Sequence, residues 1–316
     1  MDYVKYHIKD ANSYLNVEGK KVLVVGCNRG EEVAHFVELN AKEVWGLDVV
    51  DEIGENFKHE KAKYVQMSAE EMDISDNTFD LVYSCATMEH VKNIEKAFPE
   101  MVRVAKPRGV IYSVSAPLWN SREGHHKSNI FDVNKYPWIH LRFTKDELKA
   151  KCRAGEISYP AWVTNIESHI EYMMDPRFFN RRPAKDYVNI CEALKSVRII
   201  RNGLSLQQEY YLALLTLGEL KELLEGGLNS VELLALTHTF IGEKQQLTEP
   251  ESGFSELQPG DSLDRERSDD QHARLKKRLR KKKAELRQAQ EKIQEMENSK
   301  FWKLRNIWMD LRRRFS

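Results

Sequence analysis

Short apolar runs alternate with amphipathic stretches over the first part of the chain. The run Lys21–Val25 is rich in β-branched residues and ends at Gly26, which predicts a buried strand, and residues 31–39 have helical spacing. A helix is predicted at Ile94–Val104, and the other predicted strands are at residues 44–47, 63–66, 79–84 and 110–114. Strands and helices that alternate through short connections predict an α/β fold with a mostly parallel sheet covered on both faces.

This alternation stops after residue 118. Residues 119–193 are rich in His, Trp, Tyr and Pro, so we expect them to form an inserted loop and helical cap within a domain that spans residues 1–247. Strands at residues 196–200 and 233–240, with helices through residue 224 between them, are expected to complete the sheet.

The charge balance separates a basic tail from the rest of the chain. The sequence holds 49 Lys and Arg against 49 Asp and Glu, yet residues 271–316 hold 16 basic against 5 acidic residues. Residues 248–270 are polar, contain Pro and Gly, and are predicted to be a flexible linker. The tail has leucines near heptad spacing, followed by an apolar stripe along one face of its last helical segment, so a coiled-coil or amphipathic helix is predicted. The residues of the stripe are Phe301, Leu304, Trp308, Leu311 and Phe315. Binding to a membrane surface and self-association both stay open, and nucleic acid is an unlikely partner because the basic block lacks interleaved aromatics.

Cysteine spacing and hydropathy limit the class of protein further. The four cysteines lie far apart with no C-x-x-C pair, so neither a disulfide framework nor a cysteine metal site is predicted. The first ten residues lack the apolar core of a signal peptide, and no run approaches the roughly 20 apolar residues of a membrane span. We therefore expect a cytoplasmic protein, at most peripheral to the inner face of the membrane.

The strongest local motif is V-L-V-V-G-C-N-R-G, between the first strand and the first helix. A glycine at the strand end permits a sharp turn and close backbone approach to a ligand, and the helix start favours a negative group. Asp48 ends the second strand 18 residues after Gly30, near the ~20-residue spacing of a carboxylate that binds ribose hydroxyls. Gly26 and Gly30 do not fit G-x-G-x-x-G, so a nucleotide-type cofactor is predicted without a nicotinamide fingerprint.

Four motifs in order resemble the class I S-adenosylmethionine-dependent methyltransferases. They are the glycine loop, M-S-A-E-E-M-D-I-S-D-N-T-F-D-L-V-Y-S, M-E-H-V and A-K-P-R-G-V-I, and together they cover about a third of the chain. The resemblance implies a Rossmann-like seven-stranded sheet whose last strand is antiparallel, and S-adenosylmethionine as the cofactor. It also implies a set of cofactor-binding positions, namely Gly26, Cys27, Asn28, Gly30, Asp48, Val49, Ser68, Ala69, Glu70, Ser84, Cys85 and His90.

Three positions depart from the family pattern. Val24 replaces the usual acidic residue before the first glycine, Asn28 replaces the middle glycine, and Ser68 replaces an aspartate. Asn tolerates a left-handed conformation well, and Ser68 can still accept a hydrogen bond without carrying a charge. A methyltransferase fold that has lost its cofactor and serves as a scaffold is therefore the alternative to an enzyme.

A hydroxyl acceptor would require a general base, for which histidine is best suited near neutral pH. The candidates are His125, His126 and His140, in G-H-H-K and P-W-I-H-L-R. Two alternatives stay open: the histidines hold a divalent metal, or they are structural and bind the cap to the sheet. No acidic pattern completes a metal-binding triad with them, so no metal ligand is predicted.

The same histidine motifs resemble a bacterial subgroup of these methyltransferases that accompanies polysaccharide-building enzymes. The tail sequence S-K-F-W-K-L-R also resembles tails of such proteins. The resemblance implies a sugar hydroxyl of a surface glycan or its precursor as the acceptor. A methyltransferase of a small metabolite or lipid is the alternative.

Overall fold

The computed structural model describes residues 3–246 and contains a seven-stranded sheet with the order β3-β2-β1-β4-β5-β7-β6. The strands are β1 (Lys21–Val25), β2 (Glu43–Asp48), β3 (Ala62–Gln66), β4 (Phe79–Cys85), β5 (Ala105–Ser115), β6 (Val197–Leu206) and β7 (Ala235–Lys244). Neighbouring strands from β3 to β5 pair in parallel, whereas β7 pairs antiparallel with both β5 and β6. The predicted Rossmann-like sheet with an antiparallel last strand is therefore confirmed.

Helices cover both faces of this sheet. They are α1 (Tyr3–Tyr14), α2 (Glu31–Glu38), α3 (Ile94–Val104), α4 (Ile139–Arg142), α5 (Lys145–Arg153), α6 (Ile166–Met174), α7 (Ala184–Glu192), α8 (Leu217–Glu225) and α9 (Ser230–Leu234), with a 3₁₀ helix at Glu209–Leu214. One core cluster joins α3 and α7 to the sheet, and another joins α1 and α2 to the opposite face. The central strands β1 and β4 are buried on both faces, as their continuous apolar runs predict.

The predicted strand at residues 233–240 begins too early. Residues 230–234 form the short helix α9, and β7 starts at Ala235. The side chain of Asn229 accepts a hydrogen bond from the backbone N–H of Glu232 at 3.0 Å, which caps the helix in place of strand pairing. The preceding strand β6 also extends six residues beyond the predicted end at residue 200, because it pairs with β7 along most of its length.

The segment predicted as a cap has two structural parts. Helices α4 to α6 and the loop before them enclose a separate apolar cluster that includes Phe131, Leu148 and Ile170. The last helix, α7, instead packs on the sheet through Tyr187 and Cys191. The cap proper therefore ends before α7.

No helix within residues 3–246 is both long enough and apolar enough to cross a membrane. The predicted linker at residues 248–270 and the predicted helical tail at residues 271–316 lie outside the described residues.

Candidate active site

The glycine loop follows β1 and requires glycine at two positions. Gly26 has φ 79°, and a Cβ there would lie 2.0 Å from Thr87 Oγ1. Gly30 begins α2 with φ 103°, and a Cβ there would lie 2.5 Å from the Tyr64 hydroxyl. Both the backbone conformation and the close packing against Thr87 and Tyr64 therefore require glycine at these two positions.

Asp48 lies at the end of β2 and closes this loop. Its Oδ2 accepts a hydrogen bond from the backbone N–H of Asn28 at 2.8 Å, and Oδ1 accepts one from Val49 at 2.7 Å. Asn28 has φ 44°, the left-handed conformation expected of an asparagine at a glycine position. A carboxylate has about four acceptor sites, so Asp48 can still accept bonds from a ribose diol. The loop fits the predicted nucleotide-type cofactor.

The other predicted cofactor positions also lie at or after the carboxyl ends of the parallel strands, but their side chains differ in exposure. Val49 is 65% exposed, and Ser68 is exposed, with its hydroxyl accepting a bond from the N–H of Glu70. Glu70 accepts a bond from the N–H of Asn93 at 3.0 Å. The buried members of the set are Cys27, Ala69, Ser84 and Cys85.

The buried members contribute differently to the site. The hydroxyl of Ser84 is fully buried and has no hydrogen-bond partner within residues 3–246. Burial raises the pKa of the Cys27 and Cys85 thiols to about 12, so both remain neutral. Cys27 is fully buried, which leaves its backbone as the part that can meet a cofactor.

Glu32, in the first turn of α2, is a second acidic residue next to the glycine loop that was not among the predicted positions. Burial raises the pKa of its carboxyl to about 6, and its charge raises the pKa of Cys27 and of Cys85. Glu32 therefore lies near both thiols. It offers a carboxylate in this region, which Val24 lacks. An acidic residue just after the last glycine of the loop was the available signal.

A second group of polar side chains lies beyond the carboxyl ends of β4 and β5. Glu89 and His90 follow β4, His126 follows β5, and a ligand atom of each lies within 4.8 Å of the other two. The ring centroids of His90 and His126 are 5.0 Å apart. These residues are hereafter called the Glu89–His90–His126 cluster.

Hydrogen bonds to backbone carbonyls fix the tautomers of the two histidines. Nδ1 of His90 donates to the Phe178 carbonyl at 2.6 Å, and Nε2 of His126 donates to the Pro117 carbonyl at 3.0 Å. In the neutral rings the lone pairs therefore lie on Nε2 of His90 and Nδ1 of His126. Burial lowers the pKa of His90, and it lowers the pKa of His126 to about 3. Both rings are thus neutral near pH 7.

Glu89 is only 3% exposed and has no cation as a partner within residues 3–246. Its Oε1 accepts a bond from the Ala116 N–H at 3.2 Å, whereas Oε2 has no partner among the described residues. Burial raises the pKa of this carboxyl to about 8. No acidic residue in the predicted histidine motifs completes a ligand set, and the fold supplies Glu89. The Glu-His pair directly after β4 was the available signal.

His125 and His140 lie in the interior, at 0% and 3% exposure. Nε2 of His140 donates to the Trp119 carbonyl at 2.7 Å, and Nδ1 of His125 accepts from the Lys127 N–H at 3.0 Å. Burial lowers the pKa of His140 to about 4 and that of His125 well below its usual value. These two contacts lie within the cap, so they do not form the predicted link between the cap and the sheet. A catalytic role for His125 and His140 stays a prediction.

The cap segment around Asn180 holds the Glu89–His90–His126 cluster in place. The Asn180 side-chain amide donates to the carbonyls of Met88 and Val91 at 2.7 and 2.9 Å, and its backbone N–H donates to the Glu89 carbonyl. Phe179 contacts both imidazoles, with ring centroids 5.2 Å from His90 and 4.8 Å from His126. The loop after β4 is thereby fixed by a segment some 90 residues later in the chain.

Comparison with known proteins identifies residues 23–113 as a match to the family model described as "Methyltransferase domain". The chain is 34% identical over 168 residues to a sterol 24-C-methyltransferase of Yarrowia lipolytica, covering 50% of this chain and 41% of that protein. It is 31% identical over 110 residues to a ubiquinone biosynthesis O-methyltransferase of Rhizobium etli, covering 33% of this chain and 44% of that protein. The chain thus spans less than half the length of these two curated relatives.

A solved structure of an S-adenosylmethionine-dependent methyltransferase from Mesorhizobium loti aligns with 75% of this chain and 96% of its own. The alignment has 13% sequence identity and a TM-score of 0.45. The family match over residues 23–113 includes the glycine loop, Asp48 and the Glu89–His90 pair. A methyltransferase domain of this kind implies S-adenosylmethionine as the cofactor.

Proposed function

We propose that this protein is an S-adenosylmethionine-dependent methyltransferase that acts on a hydroxyl group. The observation that carries the proposal is the position of the Glu89–His90–His126 cluster beside the glycine loop. Thr87, which precedes Glu89 in the loop after β4, connects the two regions, because its hydroxyl donates to the carbonyl of Val25 at 3.3 Å, directly before the glycine loop. The match of residues 23–113 to a methyltransferase domain supports the same function.

Each side of the site has a distinct task in this proposal. Gly26, Gly30, Asp48 and Glu32 bind and orient the cofactor by backbone approach, ribose contacts and a carboxylate. S-adenosylmethionine supplies a methyl group on a sulfonium, so a carbon–oxygen bond forms as the carbon–sulfur bond breaks, and only the acceptor hydroxyl proton remains to be removed.

The cluster supplies proton acceptors for that hydroxyl. His126 holds a lone pair on Nδ1 and is neutral near pH 7, so the acceptor hydroxyl can donate a hydrogen bond to it. Its low pKa makes it a weak base, so it takes the proton as the carbon–oxygen bond forms and the oxygen becomes strongly acidic. The aromatic ring of Phe179 beside it limits access of water. A positioned base of this kind contributes about 10²–10⁴-fold in rate.

We further propose a sugar hydroxyl of a glycan or glycan precursor as the acceptor. The support for this acceptor is the resemblance of the motifs G-H-H-K and P-W-I-H-L-R to methyltransferases that accompany polysaccharide-building enzymes, since Trp119 of the cap is buried against Phe179 and His140. The two relatives described above act on a sterol carbon and in ubiquinone biosynthesis, so a lipid or small-metabolite acceptor is the second candidate. The polar Glu89–His90–His126 cluster favours an oxygen nucleophile over a carbon one.

Two measurements test the proposal in sequence. Calorimetric titration of the full chain with S-adenosylmethionine and with its demethylated product should show binding, and Asp48→Ala should weaken it. No binding of either compound would leave only the scaffold alternative. Transfer of labelled methyl from S-adenosylmethionine should then be compared between an oligosaccharide, a catechol and a sterol. Labelling of the sterol alone, with the methyl group on a carbon atom, would contradict the hydroxyl acceptor.

A further inference from the structure

We propose that Glu89, His90 and His126 bind a divalent transition-metal ion through one carboxylate oxygen and two imidazole nitrogens. The three side chains present one ligand atom each within 4.8 Å of one another, which is a separation that a single ion can bridge. Two histidines and one carboxylate form a known ligand set for such ions, and the set leaves coordination positions open. Of the predicted histidines His125, His126 and His140, only His126 belongs to this set, and the fold adds Glu89 and His90.

The hydrogen bonds of the two imidazoles are those of metal ligands. A histidine that binds a metal commonly donates its other ring N–H to a backbone carbonyl or a carboxylate, which fixes the tautomer and directs the lone pair to the ion. His90 donates from Nδ1 to the Phe178 carbonyl, and His126 donates from Nε2 to the Pro117 carbonyl. The nitrogens left free, Nε2 of His90 and Nδ1 of His126, are the ligand atoms that we assign.

Glu89 provides an independent argument. Its Oε2 is buried and has no hydrogen-bond partner within residues 3–246, while Oε1 is bonded to the Ala116 N–H. No Lys or Arg among these residues forms an ion pair with Glu89. A buried carboxylate without a cation is costly, and a bound metal ion would supply the missing positive charge. We therefore assign Oε2 as the third ligand atom.

The surrounding residues restrain the geometry of this site. Asn180 bonds the backbone on both sides of Glu89 and His90, and Tyr187 donates to the Asn180 side-chain oxygen at 3.1 Å. His126 has φ 56°, an uncommon conformation for a non-glycine residue. Loop residues held this firmly lose little freedom on binding an ion.

The role of the ion rests on the proposed methylation of a hydroxyl. A metal with three protein ligands retains open positions for one or two acceptor oxygens, such as those of a vicinal diol. Coordination lowers the pKa of the hydroxyl, so its proton passes to solvent and the oxygen becomes the nucleophile. His126 would then act as a ligand, and direct proton transfer to its Nδ1 would not occur.

Cobalt titration of the full-length chain, freed of metal by a chelator, is the first test. We expect one Co²⁺ per chain with a visible absorption spectrum typical of nitrogen and oxygen ligands. Loss of a residue that only supports a metal ligand typically weakens metal binding 10–100-fold. Glu89→Gln and His126→Asn each remove a ligand itself, so each should weaken Co²⁺ binding more than about tenfold. His35→Asn is the matched control, since it removes a partly exposed imidazole paired with Glu38. Equal affinity in all four proteins would overturn the site.

A second measurement uses only the wild-type chain, so it does not depend on folding of the variants. X-ray absorption of the Zn²⁺-loaded protein should show two imidazole ligands per metal ion. Any other number of imidazoles would overturn the assignment.

Titration with S-adenosylmethionine in the presence of chelator separates this inference from the proposed function. Cofactor binding without metal binding would refute the metal site alone. Metal binding without cofactor binding would refute the methyltransferase proposal and leave the metal site standing.

Discussion

The two sides of the candidate active site are built in different ways. The cofactor side consists of the glycine loop, Asp48 and Glu32, which come from one strand–helix–strand unit. Asp48 contacts the loop through a hydrogen bond from the Asn28 N–H. The acceptor side joins loops after β4 and β5 to a cap segment near residue 180, through side chains far apart in sequence. The cofactor side is therefore a local structure, whereas the acceptor side exists only after the cap has folded onto the sheet.

This difference predicts that substitutions on the acceptor side lower turnover, whereas substitutions on the cofactor side weaken the binding of S-adenosylmethionine. The largest effect is expected for His126→Ala, which should lower turnover about 10²–10⁴-fold, the usual contribution of a positioned base. A comparable loss is expected if His126 acts as a metal ligand. Cofactor affinity should stay near that of the wild type. Steady-state rates and calorimetry on the same preparations measure both quantities.

His140→Asn is the matched comparison for this experiment. His140 is buried and bonded to the Trp119 carbonyl, so its loss should lower thermal stability more than it lowers turnover of the folded protein. A large loss of turnover without loss of stability would restore His140 as a catalytic candidate. Full activity of the His126→Ala, His125→Ala and His140→Asn proteins would show that none of the three histidines takes part in methyl transfer.

Asp48→Ala tests the cofactor side and should have the next largest effect. Loss of hydrogen bonds to a charged group costs about 1.5–3 kcal/mol, which corresponds to roughly 10–150-fold in the Kd for S-adenosylmethionine. Asp48 also closes the glycine loop through the Asn28 N–H, so part of this loss comes from the loop itself. Asp48→Asn, which keeps one acceptor oxygen, should lose less. Equal affinity in wild type and both variants would exclude Asp48 from the site.

Glu89→Gln should change how stability depends on pH, with the metal removed by chelator. Burial raises the pKa of Glu89 from 4.5 to about 8, so the folded chain keeps a proton that the unfolded chain releases between these values. Stability of the wild type should therefore fall relative to Glu89→Gln as pH rises from about 5 to 8. A domain of this size shifts by about 2–4 °C in Tm per kcal/mol. A difference in Tm between wild type and Glu89→Gln that stays the same at all pH values would contradict the buried state of this carboxyl.

Removal of residues 271–316 should have the smallest effect on the site. The predicted tail supplies none of the contacts described above, so S-adenosylmethionine affinity should not change. Binding to anionic lipid vesicles, if the tail lies in a membrane interface, should be lost and should weaken with salt in the full chain. A change from oligomer to monomer without any vesicle binding would instead favour self-association.

The sequence alone determined the parts of this protein that depend on neighbouring residues. Strand β1 and helix α3 have the predicted bounds, because an apolar run and a helical repeat each indicate burial along a single element. The glycine loop followed from the strand–glycine–helix order, and the conformations of Gly26 and Gly30 agree with it. The position of Asp48 followed from its spacing to that loop.

Only the tertiary structure decided which distant side chains meet. Nothing in the spacing of Glu89 and His126 indicates contact, since 36 residues and the whole of β5 separate them. The sequence also does not distinguish the two histidines of G-H-H. His125 is enclosed in the interior, whereas the ring of His126 contacts that of His90 in the Glu89–His90–His126 cluster. Periodicity reports which face of an element is buried, whereas the meeting of separate loops depends on how the chain crosses the sheet and where the cap folds over it.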